Sequence, residues 1–310
     1  MSARPWESDR PLTLEIARNA LQTRFPAIDS SELRHIGSGW EFDAYLTGDG
    51  WVFRFPRRAD CAELFTKEKP VHQLLAHSVP PGISLPIVER IGSPTPEFPY
   101  RFAGHRHIPG VPVDRIDPGL DPIVTRDIGI ALGAVHGIPE GAARAAGVGG
   151  MDVDEAAVVA WVERGLRLAF KLRSLDPVVD GALAWAMHID LSEARYAGPP
   201  RLIHQDLSPE HLIVDPRTGR LTGIIDWTDA TLDDPARDFV GFVTSRGWGF
   251  AENVLRSYPH RLDLAFRERL AFKARLLSLI WLGEAREHGV DVPKLTEWVR
   301  NAFVPPEQRR

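Results

Sequence analysis
The sequence predicts an α+β fold of two unequal lobes: a small antiparallel sheet carrying one helix, then a larger and mainly helical part. Three observations carry this. Residues 33–56, "LRHIGSGWEFDAYLTGDGWVFRFP", are rich in strand formers and are cut by two glycine turns, Gly37-Ser38-Gly39 and Gly48-Asp49-Gly50. Beyond Pro122 the apolar residues recur at helical spacing over long stretches. Only "RLIHQDLSPEHLIVDPRTGRLTGIIDW", residues 201–227, interrupts those helices with strand-like runs. We place the lobes at 1–108 and 109–310.

Each element follows from local pattern. Residues 11–25 read as a helix, with Leu14, Ile16, Ala17, Ala20, Leu21 and Phe25 near a period of 3.6. Residues 62–76 read as the inserted helix, stopped by Pro80-Pro81. "LPIVERIG" and "YRFAGHRHIPG" supply two further strands. In the second lobe, helices are expected over 121–137, 152–174, 177–190, 237–258, 264–288 and 292–303. Arg217-Thr218-Gly219 closes a hairpin between "HLIVD" and "LTGIID". A β-rich lobe followed by a helical one implies a cleft, the usual seat of a small ligand.

Composition excludes several function classes. The chain has 310 residues, of which 44% are hydrophobic and 25% charged, an ordinary globular mix. A formal net charge of -5 argues against a nucleic-acid partner. No run approaches the roughly 20 apolar residues of a membrane span, and the first 21 residues carry scattered charges where a secretory leader has an apolar core. Cys61 is the lone cysteine, so no internal disulfide forms and a reducing compartment fits. The expectation is a monomeric cytoplasmic protein with small-molecule partners, no nucleic acid and no membrane.

The chemistry gathers at "LIHQDLSPEHLIVD", residues 202–215. Asp206 enters the hairpin, His211 begins its first strand and Asp226 ends its second. Two carboxylates and a neutral ligand around one point can hold a hard divalent cation and orient a hydroxyl. Phosphoryl transfer needs such a set, one acid for the hydroxyl proton and another for magnesium on the phosphates. Two other classes use the same residues. A metal-dependent hydrolase would take His204, Asp206 and His211 as ligands to zinc or manganese. A nucleotide-binding module without catalysis would leave Asp206 and Asp226 without a task.

"HQDLSPEH" followed by "IIDW", together with "LTGIIDWTDATLDDPARDF", resembles the aminoglycoside phosphotransferase family, whose fold is protein-kinase-like. The likeness runs over roughly residues 33–285 and is strongest to the branch of aminoglycoside 2''-phosphotransferases and macrolide phosphotransferases, where a histidine stands at the position of His211. The resemblance implies Asp206 as the catalytic aspartate, with His211 and Asp226 as magnesium ligands. It implies Arg54 as the grip on the nucleotide phosphates and Glu68, fourteen residues on, as its acidic partner. Gly37, Ser38 and Gly39 match the loop over the phosphates, without the third glycine of a kinase loop. "HRHI", from His105 through Arg106 to Ile108, matches the connection whose backbone carries the purine. Magnesium and GTP or ATP are the implied cofactor and phosphate donor, and an antibiotic inactivated by phosphorylation is the implied acceptor.

The remaining residues divide by chemistry. His204, Asp238, Asp229 and Asp234 read as structural or solvated; His136, Trp161 and Trp185 read as core; Arg57 and Arg58 read as a solvated charge run. The acceptor surface is expected from the helices after Asp238, with Trp248, Glu252, Trp281 and Glu284 as candidates. "VGFVTSRGWGFAENVLRSY" holds one acid, few for a polycationic aminoglycoside and better suited to a macrolide. A metabolic alcohol such as choline or homoserine is the alternative acceptor.

Overall fold
The alternating pattern of residues 33–56 forms three antiparallel strands in the computed structural model, which describes residues 8–150, 155–173, 176–289 and 292–304. The chain divides into two compact units: residues 1–77, 84–109 and Ile224–Thr228 form the first, and residues 78–83, 110–223 and 229–310 the second. The five residues Ile224–Thr228 thus join the first unit from far along the chain, where the Ile224 amide donates to the Ser84 carbonyl at 3.2 Å.

In the first unit, helix α1 (Leu14–Arg24) starts at Thr13, whose hydroxyl accepts the Ile16 amide at 3.2 Å. Strands β1 (Arg34–Ser38), β2 (Phe42–Leu46) and β3 (Trp51–Pro56) precede α2 (Leu64–Ala76), then β4 (Arg90–Gly92) and β5 (Phe102–Arg106). The strands form one sheet in the order β1-β2-β3-β5-β4, every neighbouring pair antiparallel. Strand periodicity sorts its faces. Trp51, Phe53, Phe55 and Phe102 bury against Ala17, Ala20 and Leu21 of α1. Ala103 turns the other way, toward Phe42, Val88 and Phe65 of α2. Gly104 is bare because a Cβ there would lie 2.5 Å from the Phe53 ring. Arg57, expected as solvated, is instead largely covered and donates to Asp43 at 2.7 Å, because strand β3 carries it alongside that acid.

The second unit contains β6 (Val111–Pro112), α3 (Asp121–His136), α4 (Glu140–Ala145), α5 (Glu155–Phe170), α6 (Pro177–Ala186), β7 (Arg201–Ile203), β8 (Leu212–Val214), β9 (Leu221–Ile224), β10 (Thr231–Asp233), α7 (Val240–Arg246), α8 (Trp248–Ser257), α9 (Phe266–His288) and α10 (Val292–Phe303), the last residue of β9 belonging to the first unit. Two small sheets, β6-β8-β9 and β10-β7, frame residues 202–215. The single helix expected over 237–258 is corrected. A 3-10 turn at Pro235–Phe239 opens it, and Gly247, at φ 79°, breaks it into α7 and α8. β6, β10 and the six-residue α4 were absent from the expectation, being too short to show a period. Trp161, expected inside, is 39% exposed. Of the helix expected over 152–174, residues 152–154 and 174 lie outside the described residues. Among the described residues no helix is long and apolar enough to cross a membrane.

Close helix crossings use glycine. At the α5–α9 contact, a Cβ on Gly283 would sit 2.6 Å from the Ala169 amide nitrogen and 2.7 Å from the Gly165 carbonyl. Both obstacles are backbone and cannot rotate away. Gly283→Ala should gain up to about 1 kcal/mol in helix propensity and lose about 1–3 kcal/mol to overpacking. The net expectation is a lower thermal midpoint. A midpoint equal to or above wild type in a calorimetric scan would show that the two helices separate at no cost.

Candidate functional site
The residues nominated from sequence fall into two sets, one in each unit. In the first unit the alternation of β3 turns Arg54 to the α2 face, where Glu68 meets it. Both guanidinium nitrogens bond the carboxylate, Nη1 to Oε1 at 3.0 Å and Nη2 to Oε2. Glu68 is 2% exposed. Burial alone would raise its pKa, but the Arg54 charge and hydrogen bonds outweigh that and hold the carboxyl down to about 2. The fork fixes Arg54, whose Nε–H is buried without a partner among the described residues. A buried orphan donor on a fixed cation suits an anionic ligand such as a nucleotide phosphate.

Gly37, Ser38 and Gly39 follow a bulge in β1 between His35 and Gly37. The Ser38 hydroxyl donates to Asp43 at 2.5 Å and lies 3.0 Å from His35 Nε2. A Cβ on Gly37 would meet nothing within 4 Å. The fold does not need that glycine for room, so what it supplies is bare backbone. His105 pairs with Val52 across the sheet and lies on the Arg54 face. Its Nδ1 bonds the Arg106 carbonyl at 2.9 Å. The Arg106 side chain turns to the opposite face, its guanidinium 3.9 Å from the centre of the Trp51 ring. Ile108 is buried.

Asp226 also belongs to the first unit. Its φ of 66° is in the left-handed region that side chains seldom adopt. The following residues clasp it: the Trp227 indole donates to the Ile224 carbonyl at 3.1 Å, and the Thr228 hydroxyl lies 3.2 Å from Asp226 Oδ1 and 2.5 Å from Glu68 Oε1. Sequence reasoning passed over Thr228, which has no charge and no motif of its own.

In the second unit the turn His204-Gln205-Asp206 is held from behind. The fully buried Asp238 accepts the His204 and Gln205 amides, each at 2.9 Å, while Gln205 sits at φ 74°. His136 Nε2 donates to the same carboxylate at 3.1 Å, and His136 Nδ1 lies 2.8 Å from the Tyr258 hydroxyl. Burial raises the Asp238 carboxyl, yet the bonds from His136 and the His204 amide more than offset it and keep it below the usual carboxylate range. His136, read as core packing, is therefore a bridge. With its amides turned inward, the loop leaves Asp206 exposed.

Arg237 is half-buried, and its charge acts on Asp206, Asp238, Asp229 and Asp233. A single arginine in a helical stretch gave no sequence signal. His211 Nδ1 bonds the Asp206 carbonyl at 2.7 Å. A carbonyl only accepts, so Nδ1 carries a proton. The ring stacks on His204, with centroids 5.7 Å apart.

Among the described residues no three His, Cys, Asp or Glu side chains gather to hold a metal. The zinc or manganese set of the hydrolase reading, His204 with Asp206 and His211, is thus not assembled; His204 is wholly buried. Magnesium is different. It is commonly held by one or two carboxylates plus substrate phosphates, without an all-protein cage. The hard oxygens of Asp226 fit that role.

A cavity of about 240 Å³ in the second unit is lined by Asp114, Ser208, Pro209, Glu210, Ser245, Arg246, Lys294, Glu297 and Trp298. It starts two residues beyond Asp206. None of the four nominated acceptor residues lines it. Trp248 is buried, Glu252 is engaged twice by Arg267 at 2.8 and 2.9 Å, Glu284 pairs with Arg164 at 3.5 Å, and Trp281 stands behind the lining, edge-on to Trp298 at 5.7 Å.

Comparisons with known proteins identify the family and the fold. The model of the phosphotransferase enzyme family (APH) matches residues 32–295. The wild-type aminoglycoside 2'-phosphotransferase-IIIa in its GDP complex is similar in structure, with a TM-score of 0.73, 23% identity, and coverage of 94% of this chain and 97% of that one. Macrolide 2'-phosphotransferase MphH from Brachybacterium faecium gives 0.62, 21%, 96% and 100%. Identities this low speak for the fold alone. A curated relative, the uncharacterized protein YcbJ of Bacillus subtilis (strain 168), is 40% identical over 74 residues, 24% of either chain.

The surroundings of His105 generate a pH dependence. Burial, with the Arg54 charge nearby, pushes its imidazole from 6.5 down to about 3. Below pH 6.5 the unfolded chain binds a proton that the folded chain refuses until about pH 3, so stability falls as pH drops through that window. His105→Gln should remove this component, flattening the profile by up to about 1.4 kcal/mol per pH unit. Chemical unfolding of both proteins between pH 7 and pH 4 measures it, and parallel profiles would overturn it.

Proposed function
The chain belongs to the phosphotransferase enzyme family, and from that premise we propose that it moves the γ-phosphate of GTP or ATP to a hydroxyl of an antibiotic carrying an amino sugar, either a macrolide or an aminoglycoside. The observation that carries the acceptor reading is the cavity beside the Asp206 loop. Three acids line it, Asp114, Glu210 and Glu297, against two cations. One cation is already spoken for, since Arg246 makes two bonds to Asp121, at 2.6 and 2.7 Å. Glu297 is likewise engaged, by Arg300, which leaves Asp114 and Glu210 against Lys294, a balance that suits a singly charged amine, and Trp298 offers an apolar wall to a sugar ring. Ser208 brings a buried hydroxyl with no partner among the described residues. The volume is below the roughly 300–1,000 Å³ of drug-sized pockets, so one ring of the acceptor enters and the rest stays outside. That size also favours a second reading, a small metabolic alcohol of choline or homoserine type. Solved relatives with this fold are described in complex with kanamycin and with gentamicin, and as macrolide phosphotransferases.

In this reading Asp206 accepts or positions the proton of the acceptor hydroxyl, and Arg54, braced by Glu68, faces the donor phosphates. Asp226 and His211 hold the magnesium, which when bound neutralises phosphate charge as it develops. The backbone from His105 to Ile108 takes the purine edge, and the His105 ring, on the Arg54 face, crowds the adenine position and favours guanine.

Two measurements test the proposal. Asp206→Asn should lower turnover by about 10²–10⁴-fold while nucleotide still binds, as loss of general-base help does; activity within threefold of wild type would refute the assignment. Turnover would be followed on a panel of macrolides, aminoglycosides, choline and homoserine. Phosphorylation of only the last two would move the function to the second reading. GTP should serve at least as well as ATP, and His105→Ala should raise ATP use relative to GTP. A strong wild-type preference for ATP, unaltered by the substitution, would overturn the donor assignment.

A further inference from the structure
Thr228 joins two carboxylates that the proposed chemistry keeps separate. Its Oγ lies 2.5 Å from Glu68 Oε1 and 3.2 Å from Asp226 Oδ1. A hydroxyl has one proton, and both neighbours are acceptors. The bond is therefore held mainly by Glu68, with Asp226 at the longer and weaker distance. Glu68 Oε1 already receives Arg54 Nη1 at 3.0 Å, so the hydroxyl completes the shell of a carboxylate that is 2% exposed. On the other side, Asp226 holds a backbone conformation that is costly for an aspartate, at φ 66°. The first of its clasps, the Trp227 indole on the Ile224 carbonyl, fixes backbone only. Thr228 is the second, and it reaches the carboxylate.

We propose that Thr228 is a positioning residue that sets the Asp226 carboxylate relative to the Glu68–Arg54 pair, so that the metal-facing acid and the phosphate-facing cation are presented as one preformed unit. This rests on the reading that Asp226 holds nucleotide-bound magnesium. The uneven distances give the device a direction. When Asp226 turns to a cation, the hydroxyl keeps its proton on Glu68 and no donor is orphaned. A valine in place of Thr228 keeps the shape but leaves Glu68 Oε1 short of a partner and Asp226 without its tether. The carboxylate then loses the Thr228 contact and more of its ordering falls to the ion, at the expense of magnesium-dependent affinity. Binding of nucleotide without magnesium relies on Arg54 and the sheet face and changes little.

Calorimetric titration of GDP and ADP into the full chain, with and without magnesium, tests this. Thr228→Val should reduce the gain in nucleotide affinity on adding magnesium by about tenfold, in keeping with loss of one hydrogen bond to a charged group. Thr228→Ser, which restores the hydroxyl, should return it to within threefold of wild type. Thr228→Ala serves if the valine variant does not fold, and circular dichroism reports folding for each. A magnesium gain unchanged in the hydroxyl-less variant overturns the proposal. So does an equal loss of affinity with and without magnesium, which would mark a merely structural role, or a folded serine variant that fails to recover. Asp226→Ala separates the two levels of inference. If it abolishes the magnesium gain while Thr228→Val leaves that gain intact, only the role of Thr228 fails. If it leaves the gain intact, the metal reading fails, and this proposal with it.

Discussion

The exposed position of Asp206 rests on a carboxylate that never meets solvent. Asp238 receives two consecutive amides, those of His204 and Gln205, and that pairing requires the chain to turn through a left-handed residue. A left-handed non-glycine residue costs roughly 1–2 kcal/mol, and two amides accepted by one ionised carboxylate are worth more than that. The second unit is arranged to keep the carboxylate there. His136, at the end of α3, bridges it to Tyr258 beyond α8, so two helices and a loop meet on one acid. Gly241 of α7 lets that helix lie against the loop, since a Cβ would come within 2.1 Å of the Leu207 carbonyl. Behind them the fully buried Asp234 is answered by Arg269 at 3.0 Å, which in turn bonds Asp263. Polar contacts this deep favour a unique arrangement, because any slip leaves a charge or an amide unpaired.

The first unit solves a related problem with the opposite charge. There a largely buried arginine is kept in place by one carboxylate. A two-point fork to Glu68 leaves one guanidinium edge available, and a sheet whose other face is filled with phenylalanine gives the fork a rigid base. Both units spend backbone strain at the same place in the chemistry: Gln205 directly precedes one acid, and Asp226 is the other. Strained residues persist where the surroundings over-determine them, and here Asp238 and the Trp227–Thr228 clasp are those surroundings.

Much of this was legible beforehand, and the reasons differ by element. The antiparallel strands of residues 33–56 and the long helices α3 and α9 declare themselves by period and by turn residues. The pairing of Arg54 with Glu68 was implied by the family resemblance, and the structure makes it. What escaped was set by partners distant in sequence. His136 and Asp238 are 102 residues apart, and the two read separately as core and as loop organiser. The acceptor candidates were drawn from aromatic and acidic content, but content does not say which face of a helix is covered. Trp248 turns inward, and Glu252 is taken by an arginine of the next helix. α10, with Lys294, Glu297 and Trp298, was seen only as a helix.

The membership of Ile224–Thr228 in the first unit bears on how the protein can be made and divided. That unit is discontinuous: its sheet is complete by Arg106, but its last segment arrives only after residues 110–223 have been joined to the chain. A nascent chain leaving the ribosome could close the five-stranded sheet early, yet it would lack Asp226 and Thr228 until most of the second unit had emerged. Closing so long a loop costs little more free energy than closing one half its size, but it defers completion to a late step of folding. An excised fragment of residues 1–109 would consequently carry the Arg54–Glu68 pair without the Thr228 hydroxyl that bonds Glu68. The first unit is one body in space but not one stretch of sequence, and a single cut in the gene cannot isolate it.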